Sequence, residues 1–157
     1  MQFTIISVGK IKNDILPRVE AYSERLAVYC KMNIVEIPED DRMEKMNSSE
    51  IEQVRQLEGQ KILAQVKQEQ YVIALTGEGE LWTPKRLSMQ IEDLSAEGQN
   101  EIIFVIGGSF GLSEEVLLRA NERLALPKKA YPYQLARLVV LERLYRALRI
   151  SLGEPLR

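Results

Sequence analysis

The sequence predicts an α/β fold in which a mainly parallel sheet is flanked by helices, in one domain of residues 1–157. Short apolar segments alternate along the chain with longer segments whose apolar residues recur every three or four positions. One short segment, 102–106, is apolar at every position, which is typical of a strand that a parallel sheet buries on both faces. With 45% hydrophobic residues, 157 residues are enough for one core of ordinary size.

Strands and helices are predicted in alternation. Strands are predicted at 3–8, 33–37, 71–75 and 102–106, and a short extended segment at 124–131. The first helix, after residue 9, is predicted by the spacing of its apolar residues alone. The next three begin at capping signals: Ser49 and Glu52 at capping-box spacing, Thr83 before Pro84, and Ser113 before two glutamates.

The last and longest helical pattern runs from 134 to 152. Its apolar residues cover more of the helix surface than contact with one sheet requires, so we expect a second buried face at a dimer interface. Arg143, Arg146 and Arg149 follow one face of this helix at spacings of three. These three arginines have either a functional role or ordinary solvated positions on the protein surface.

The composition excludes several kinds of site. The chain has no histidine and one cysteine, Cys30, so a triad with an imidazole base and a zinc site are both excluded. Cys30 is expected to be a packed thiol, and no cluster of acidic residues predicts a magnesium site. No secretory signal and no apolar stretch of roughly 20 residues is present, so we expect a cytoplasmic protein without a membrane span.

Charge is distributed unevenly, although the formal net charge is only -2. Residues 119–157 contain nine Lys or Arg and three Asp or Glu, whereas the rest of the chain is acidic. This distribution indicates either a surface that faces phosphates or a basic helix that pairs with the acidic part of the same molecule.

Three loops follow predicted strands, where open α/β sheets bind ligands. Two are rich in glycine, 76–80 and 107–112, and the third is 126–134. The glycine pattern is neither a dinucleotide fingerprint nor a P-loop, so a tight turn without a ligand is the alternative. The third loop is either a stiff connector or, with the other two, one wall of an adenosyl pocket. Trp82 and Phe110 can stack on a base, but packing in the core or at its rim is favoured for each.

Four segments together are similar to one known family. They are Ile6-Ser7-Val8-Gly9-Lys10-Ile11-Lys12, Glu58-Gly59-Gln60-Lys61-Ile62-Leu63, Phe104 to Leu112, and the helix from Gln134-Leu135-Ala136-Arg137 to Leu144-Tyr145-Arg146-Ala147. In this order and spacing they resemble the ribosomal RNA large subunit methyltransferase H family, from the first strand to near the last residue.

The resemblance implies a SPOUT-type fold with a C-terminal trefoil knot, which nothing in the periodicity predicts. It also implies a small cytoplasmic homodimer that uses S-adenosyl-L-methionine to methylate N3 of a pseudouridine in 23S rRNA of the assembled ribosome. Carried over by motif, the cofactor pocket comprises Leu75, Gly107, Leu126, Pro127, Lys128, Lys129, Ala130 and Tyr131. Arg146 is expected to stabilise the anion that forms when the pseudouridine loses its N3 proton.

Two departures from the family concern the acceptor side. Tyr133, the second catalytic candidate, stands where the family carries histidine, and the sequence ends in Glu154-Pro155-Leu156-Arg157 instead of Pro-Tyr-His and a basic residue. One alternative is therefore a paralogue that methylates a small molecule, such as a nitrogen heterocycle or a thiol. Another is a ribosome-associated or RNA-binding dimer without enzymatic activity.

Overall fold

The computed structural model describes residues 1–39, 47–77, 80–125 and 135–153. Strands and helices alternate along most of this length. The strands are β1 (Gln2–Val8), β2 (Lys31–Ile37), β3 (Tyr71–Thr76), β4 (Glu80–Leu81), β5 (Glu101–Ile106) and β6 (Glu122–Ala125). The helices are α1 (Leu16–Leu26), α2 (Ser48–Leu63), α3 (Pro84–Ala96), α4 (Glu114–Arg119) and α5 (Ala136–Ser151).

All six strands form one sheet in the order β2-β1-β5-β3-β6-β4, and every neighbouring pair is parallel. The predicted fold class is confirmed. β4 was not predicted, because a two-residue strand is too short to show any periodicity. It lies within and just after the predicted glycine loop 76–80, where Glu80 pairs with Leu124 of β6.

Helices cover both faces of the sheet. The alternation of side chains along β1 sends Phe3 and Ile5 to the face that carries α1, α3 and α5, and Ile6 and Val8 to the face that carries α2 and α4. All four side chains are at most 1% exposed. Burial on both faces is the physical reason why the central strands β1 and β5 are apolar at consecutive positions.

Capping explains where the helices begin. Thr83 Oγ1 accepts a hydrogen bond from the Arg86 amide at 3.1 Å, and Ser113 Oγ accepts one from the Val116 amide at 3.3 Å, so both predicted caps are confirmed. The predicted start at Ser49 is wrong by two residues. Asn47 caps α2, because its Oδ1 accepts from the Glu50 amide at 2.9 Å, and this leaves Ser49 inside the first turn.

Cys30 is a packed thiol, as predicted. It is half-buried just before β2, and its Sγ donates to the Leu26 carbonyl oxygen at 3.4 Å. Burial raises the pKa of this thiol to about 11, and the charge of the N-terminus offsets only part of that rise. The thiol is therefore protonated at neutral pH.

No helix in the described ranges is both long enough and apolar enough to cross a membrane.

More than half of the residues of α5 are buried within the chain. It packs against α1 on one side and α3 on the other, over the sheet. Six consecutive residues, 136–141, are buried, together with Leu144, Ala147 and Leu148. The wide apolar stripe predicted from the sequence is therefore covered by the chain itself, and its width alone does not require a dimer. The trefoil knot remains a prediction, because the segment 126–134 that joins β6 to α5 lies outside the described residues.

Candidate functional site

The carboxyl ends of β5, β3 and β6 meet at one edge of the sheet. Leu75 of β3 pairs with Ile106 of β5 on one side and with Leu124 of β6 on the other. Gly107 follows Ile106 directly, so Leu75 lies on the strand beside β5, one register position before Gly107. Leu75 is only 5% exposed. The structure thus brings these two predicted pocket residues together, at the edge where open α/β sheets bind ligands.

The glycine loop after β5 folds tightly back on itself. The Gly111 amide donates to the Gly108 carbonyl oxygen at 3.1 Å, and Gly111 has a φ of 80°, which favours glycine. A Cβ at Gly107 would lie 2.6 Å from the Gly111 carbonyl carbon, which no side chain tolerates. At Gly108 the nearest atom to such a Cβ is a methyl group of Val8 at 3.0 Å. The turn itself therefore requires glycine at 107 and 111.

A polar contact joins this loop to the chain just after β2. Ser109 Oγ donates to Glu39 Oε1 at 3.1 Å, across 70 positions of sequence. Phe110 beside it is half-buried, which agrees with packing at the rim. Trp82 is 1% exposed and packs against Phe104 with ring centroids 6.1 Å apart, so it is a core residue as predicted.

β6, which precedes the third predicted wall in the sequence, ends at the same edge. Ala125, the last residue of β6, pairs with Thr76 of β3, so the chain leaves β6 beside the end of β3. The predicted pocket residues Leu126, Pro127, Lys128, Lys129, Ala130 and Tyr131 follow, and with Tyr133 they lie outside the described residues. The last described residue before this loop, Ala125, thus lies one register position beyond Leu75.

Arg137 is a buried residue of this edge that sequence reasoning did not single out. It is 2% exposed in the first turn of α5, and its Nη2 donates to the carbonyl oxygen of Gly9, just after β1. Gly9 has a φ of 98°, and its amide donates to the Ile37 carbonyl oxygen at 2.8 Å. The sequence does contain a signal for the burial of Arg137, because its spacing from Leu141 and Leu144 places it on the apolar face of the helix.

Arg146 lies elsewhere on α5. Its side chain is 49% exposed, and its Nη2 forms an ion pair with Glu142 Oε1 at 3.1 Å. Ten residues separate it from Ala136, which corresponds to about 15 Å of helix rise. The structure gives it no direct contact with Leu75 or Gly107. Arg149, another arginine on the predicted face, donates a hydrogen bond from its Nη1 to the Tyr145 hydroxyl at 2.8 Å.

Part of the basic surplus of the C-terminal third is used inside the molecule. Arg119 donates to the carbonyl oxygens of Lys67 and Gln70 at 3.0 and 2.9 Å, and so holds the connection between α2 and β3. Arg137 is buried, and Arg149 is paired with Tyr145. These three arginines bond within the chain to backbone carbonyl oxygens and to a tyrosine hydroxyl, and so are used by the fold itself. Arg146, half exposed, is available to a ligand on its solvent side.

Packing explains the glycine in the segment Glu58-Gly59 of α2. A Cβ at this position of α2 would lie 2.3 Å from Ser113 Oγ, the atom that caps α4. Glycine thus permits α2 to approach the start of α4, which directly follows the glycine loop. The segment around Glu58-Gly59 therefore packs against Ser113, the residue that directly follows the glycine loop.

Comparison with known proteins agrees with this geometry. Residues 1–156 match the family model described as Predicted SPOUT methyltransferase. Two solved structures have a similar fold: a probable methylase family protein from Haemophilus influenzae Rd KW20 and a probable methyltransferase from Bordetella pertussis Tohama I. The first has a TM-score of 0.52 at 13% identity, covering 99% of this chain and 69% of that one. The second has a TM-score of 0.54 at 13% identity, covering 94% and 95%. The fold and the full-length match define a methyltransferase of the SPOUT class.

Relatives with higher sequence identity identify the family within this class. A ribosomal RNA large subunit methyltransferase H from Clostridium novyi (strain NT) is 47% identical over 158 residues, and one from Clostridium acetobutylicum is 43% identical over 156 residues. Each alignment covers 99% of this chain and 98% of the relative. A protein of the same name from Listeria monocytogenes is 41% identical over 156 residues, with the same coverage. The chain belongs to this methyltransferase H family of the SPOUT methyltransferases.

Proposed function

We propose that this methyltransferase uses S-adenosyl-L-methionine to methylate 23S rRNA of the assembled ribosome, at N3 of a pseudouridine. The observation that carries the proposal is the identity of 38–47% to ribosomal RNA large subunit methyltransferases H over 99% of the chain. A paralogue that acts on a small molecule is not favoured, because relatives at this identity are named for ribosomal RNA.

The cofactor is proposed to bind at the carboxyl edge, against Leu75, Gly107 and the residues from Leu126 to Tyr131. The fit rests on two observations: an apolar side chain, Leu75, lies beside a glycine turn in which residue 107 cannot carry a Cβ. An apolar wall next to closely approached backbone suits a flat, neutral adenine ring. When bound, the cofactor supplies a methyl group already activated by its sulfonium.

Arg146 is proposed to act on the acceptor. Transfer requires the pseudouridine nitrogen to release its proton to solvent and then to attack the methyl carbon with its lone pair. The bond from that carbon to the sulfonium sulfur breaks, and its electron pair stays on the sulfur. A guanidinium beside the base stabilises the negative charge left by that proton. Glu142 Oε1 lies 3.1 Å from Arg146 Nη2, and the outer side of the Arg146 side chain stays exposed. Tyr133, on the third loop, is the second candidate for contact with the base.

A homodimer in the cytoplasm is proposed as the working form, each chain acting as one domain of residues 1–157. The distance along α5 between Arg146 and the start of the helix favours an active site that a second copy completes. Val28 and Leu152, just beyond the ends of α1 and α5, expose 80% and 61% of their surface and are available to such a contact.

Two measurements test the proposal. Calorimetry with S-adenosylmethionine tests the cofactor, and absence of binding at high micromolar concentration would overturn both enzymatic hypotheses in favour of a non-enzymatic RNA-binding protein. Transfer of labelled methyl groups to ribosomes from a strain lacking the family enzyme tests the acceptor. We expect incorporation at one 23S pseudouridine. Cofactor binding without incorporation into ribosomes would favour the small-molecule paralogue instead.

A further inference from the structure

A groove of about 470 Å³ lies between α1 and β2, away from the carboxyl-edge site. β2 is an edge strand, and β1 separates it from β5 and the glycine loop. The groove is lined by residues of three short stretches: Ile11; Leu16, Val19, Glu20, Ser23 and Glu24 of α1; and Ile34 and Glu36 of β2. We call it the α1–β2 groove.

Its floor is apolar. Val19 is buried, whereas Ile11, Leu16 and Ile34 are only half-buried and leave apolar surface facing the groove. Ile34 and Glu36 are two residues apart on β2, so the alternation of a strand puts both side chains on the face that carries α1. A partner that covers this floor removes apolar surface from water, which favours association.

The rim carries charge of one sign. Glu20 and Glu24 stand four residues apart on α1, and Glu36 faces them from β2; all three are exposed. Glutamates at this helical spacing repel each other. Within the described ranges no Lys or Arg nitrogen lies within 4 Å of any of the three carboxylates. The rim therefore repels a phosphate backbone and attracts a cationic partner.

The edge strand adds a third feature. In the described part of the chain β2 pairs with β1 alone, along seven residues from Lys31 to Ile37. Its outer edge presents the backbone donors and acceptors to which an extended peptide can add as a further strand. Alternating side chains of such a peptide would point to the two faces of the sheet, one of them toward the groove.

We infer that the α1–β2 groove binds an extended basic polypeptide segment, whose apolar residues cover Leu16 and Ile34 and whose Lys or Arg side chains pair with Glu20, Glu24 and Glu36. Basic segments of this kind are typical of proteins that bind nucleic acid. The acidic rim assigns this face to a protein contact, whereas any RNA contact belongs to other faces. The inference does not depend on the proposed cofactor or acceptor.

The test uses a fluorescein-labelled nine-residue peptide that alternates lysine and valine, with a peptide that alternates glutamate and valine as its counterpart. Fluorescence anisotropy with the full chain is expected to show binding of the basic peptide only. Glu20→Lys combined with Glu24→Lys is expected to weaken that binding about ten-fold or more, and the double change to Gln to weaken it less. Ile34→Thr is expected to weaken it at high salt as well, where charge pairs are screened.

Asp93→Lys combined with Glu97→Lys is the matched control. These two residues are exposed, four positions apart and at the end of α3, which α5 separates from α1. The control changes the net charge equally and is expected to leave binding unchanged. An equal loss in the control would mean general electrostatic attraction and would overturn the inference. So would no binding by the unmodified protein, or a change in sedimentation of the Glu20 and Glu24 variant that identifies the groove as a contact between two copies.

Discussion

The guanidinium of Arg137 in α5 donates a hydrogen bond to the carbonyl oxygen of Gly9, 128 residues earlier in the chain. The contact joins the start of α5 to the turn after β1. Gly9 is bonded in turn to Ile37 at the end of β2. A buried side chain thus connects the helix that carries Arg146 with the carboxyl edge of the sheet.

Replacing Arg137 by Met is expected to lower the free energy of unfolding by about 1–3 kcal/mol, because the Gly9 carbonyl oxygen loses its donor in a buried place. Urea unfolding followed by circular dichroism measures the loss. Arg143→Met on the same helix is the control, since Arg143 is half exposed, and its effect should stay within about 0.5 kcal/mol. Equal midpoints for the two variants would show that the buried contact contributes no stability.

Gly107→Ala is expected to weaken binding of S-adenosylmethionine by about ten-fold or more, equivalent to about 1.4 kcal/mol. The new methyl group would lie 2.6 Å from the Gly111 carbonyl carbon, so the loop must move. Gly108→Ala is the control, because its methyl group meets the side chain of Val8 at 3.0 Å, which can shift. Calorimetry compares the two. Unchanged affinity in Gly107→Ala would remove this residue from the pocket.

Arg146→Ala is expected to spare cofactor affinity and to reduce turnover by about 100-fold or more, since a charge that stabilises the transition state is lost. Its ion pair with Glu142 is largely exposed, so stability should change by less than about 1 kcal/mol. Single-turnover methylation of ribosomes measures the first effect and thermal unfolding the second. Arg143→Ala serves as the control, and undiminished turnover in Arg146→Ala would exclude Arg146 from the mechanism.

Cys30 is expected to react slowly with iodoacetamide. Burial raises its pKa from the ordinary value of 9.0 to about 11, so the reactive thiolate is about 100-fold rarer at pH 8 than in the unfolded chain. The rate should climb with pH up to about 11 and should jump when urea unfolds the protein. Mass spectrometry follows the label, with Cys30→Ser as the blank. Rapid labelling of the folded protein at pH 8 would contradict the buried position.

Local patterns were sufficient for most elements because their causes are local. The apolar stretches of β1, β3 and β5 and the caps at Thr83 and Ser113 act over a few residues, and each was predicted from neighbours in the sequence. Predictions failed where two local signals competed. Asn47 precedes Ser49, and its Oδ1 accepts the hydrogen bond from the Glu50 amide, so Asn47 is the N-cap of α2.

The sequence by itself determined the α/β class, the glycine turn after β5 and the absence of histidine chemistry. Only the tertiary structure decided the strand order, which makes Leu75 the neighbour of Ile106, and the burial of Arg137 against Gly9. It also decided that α5 buries its apolar stripe between α1 and α3. The physical reason is the distance along the chain over which each effect acts. Periodicity shows which side of an element is apolar and depends on neighbouring residues, whereas the residues that cover that side are far away in the sequence.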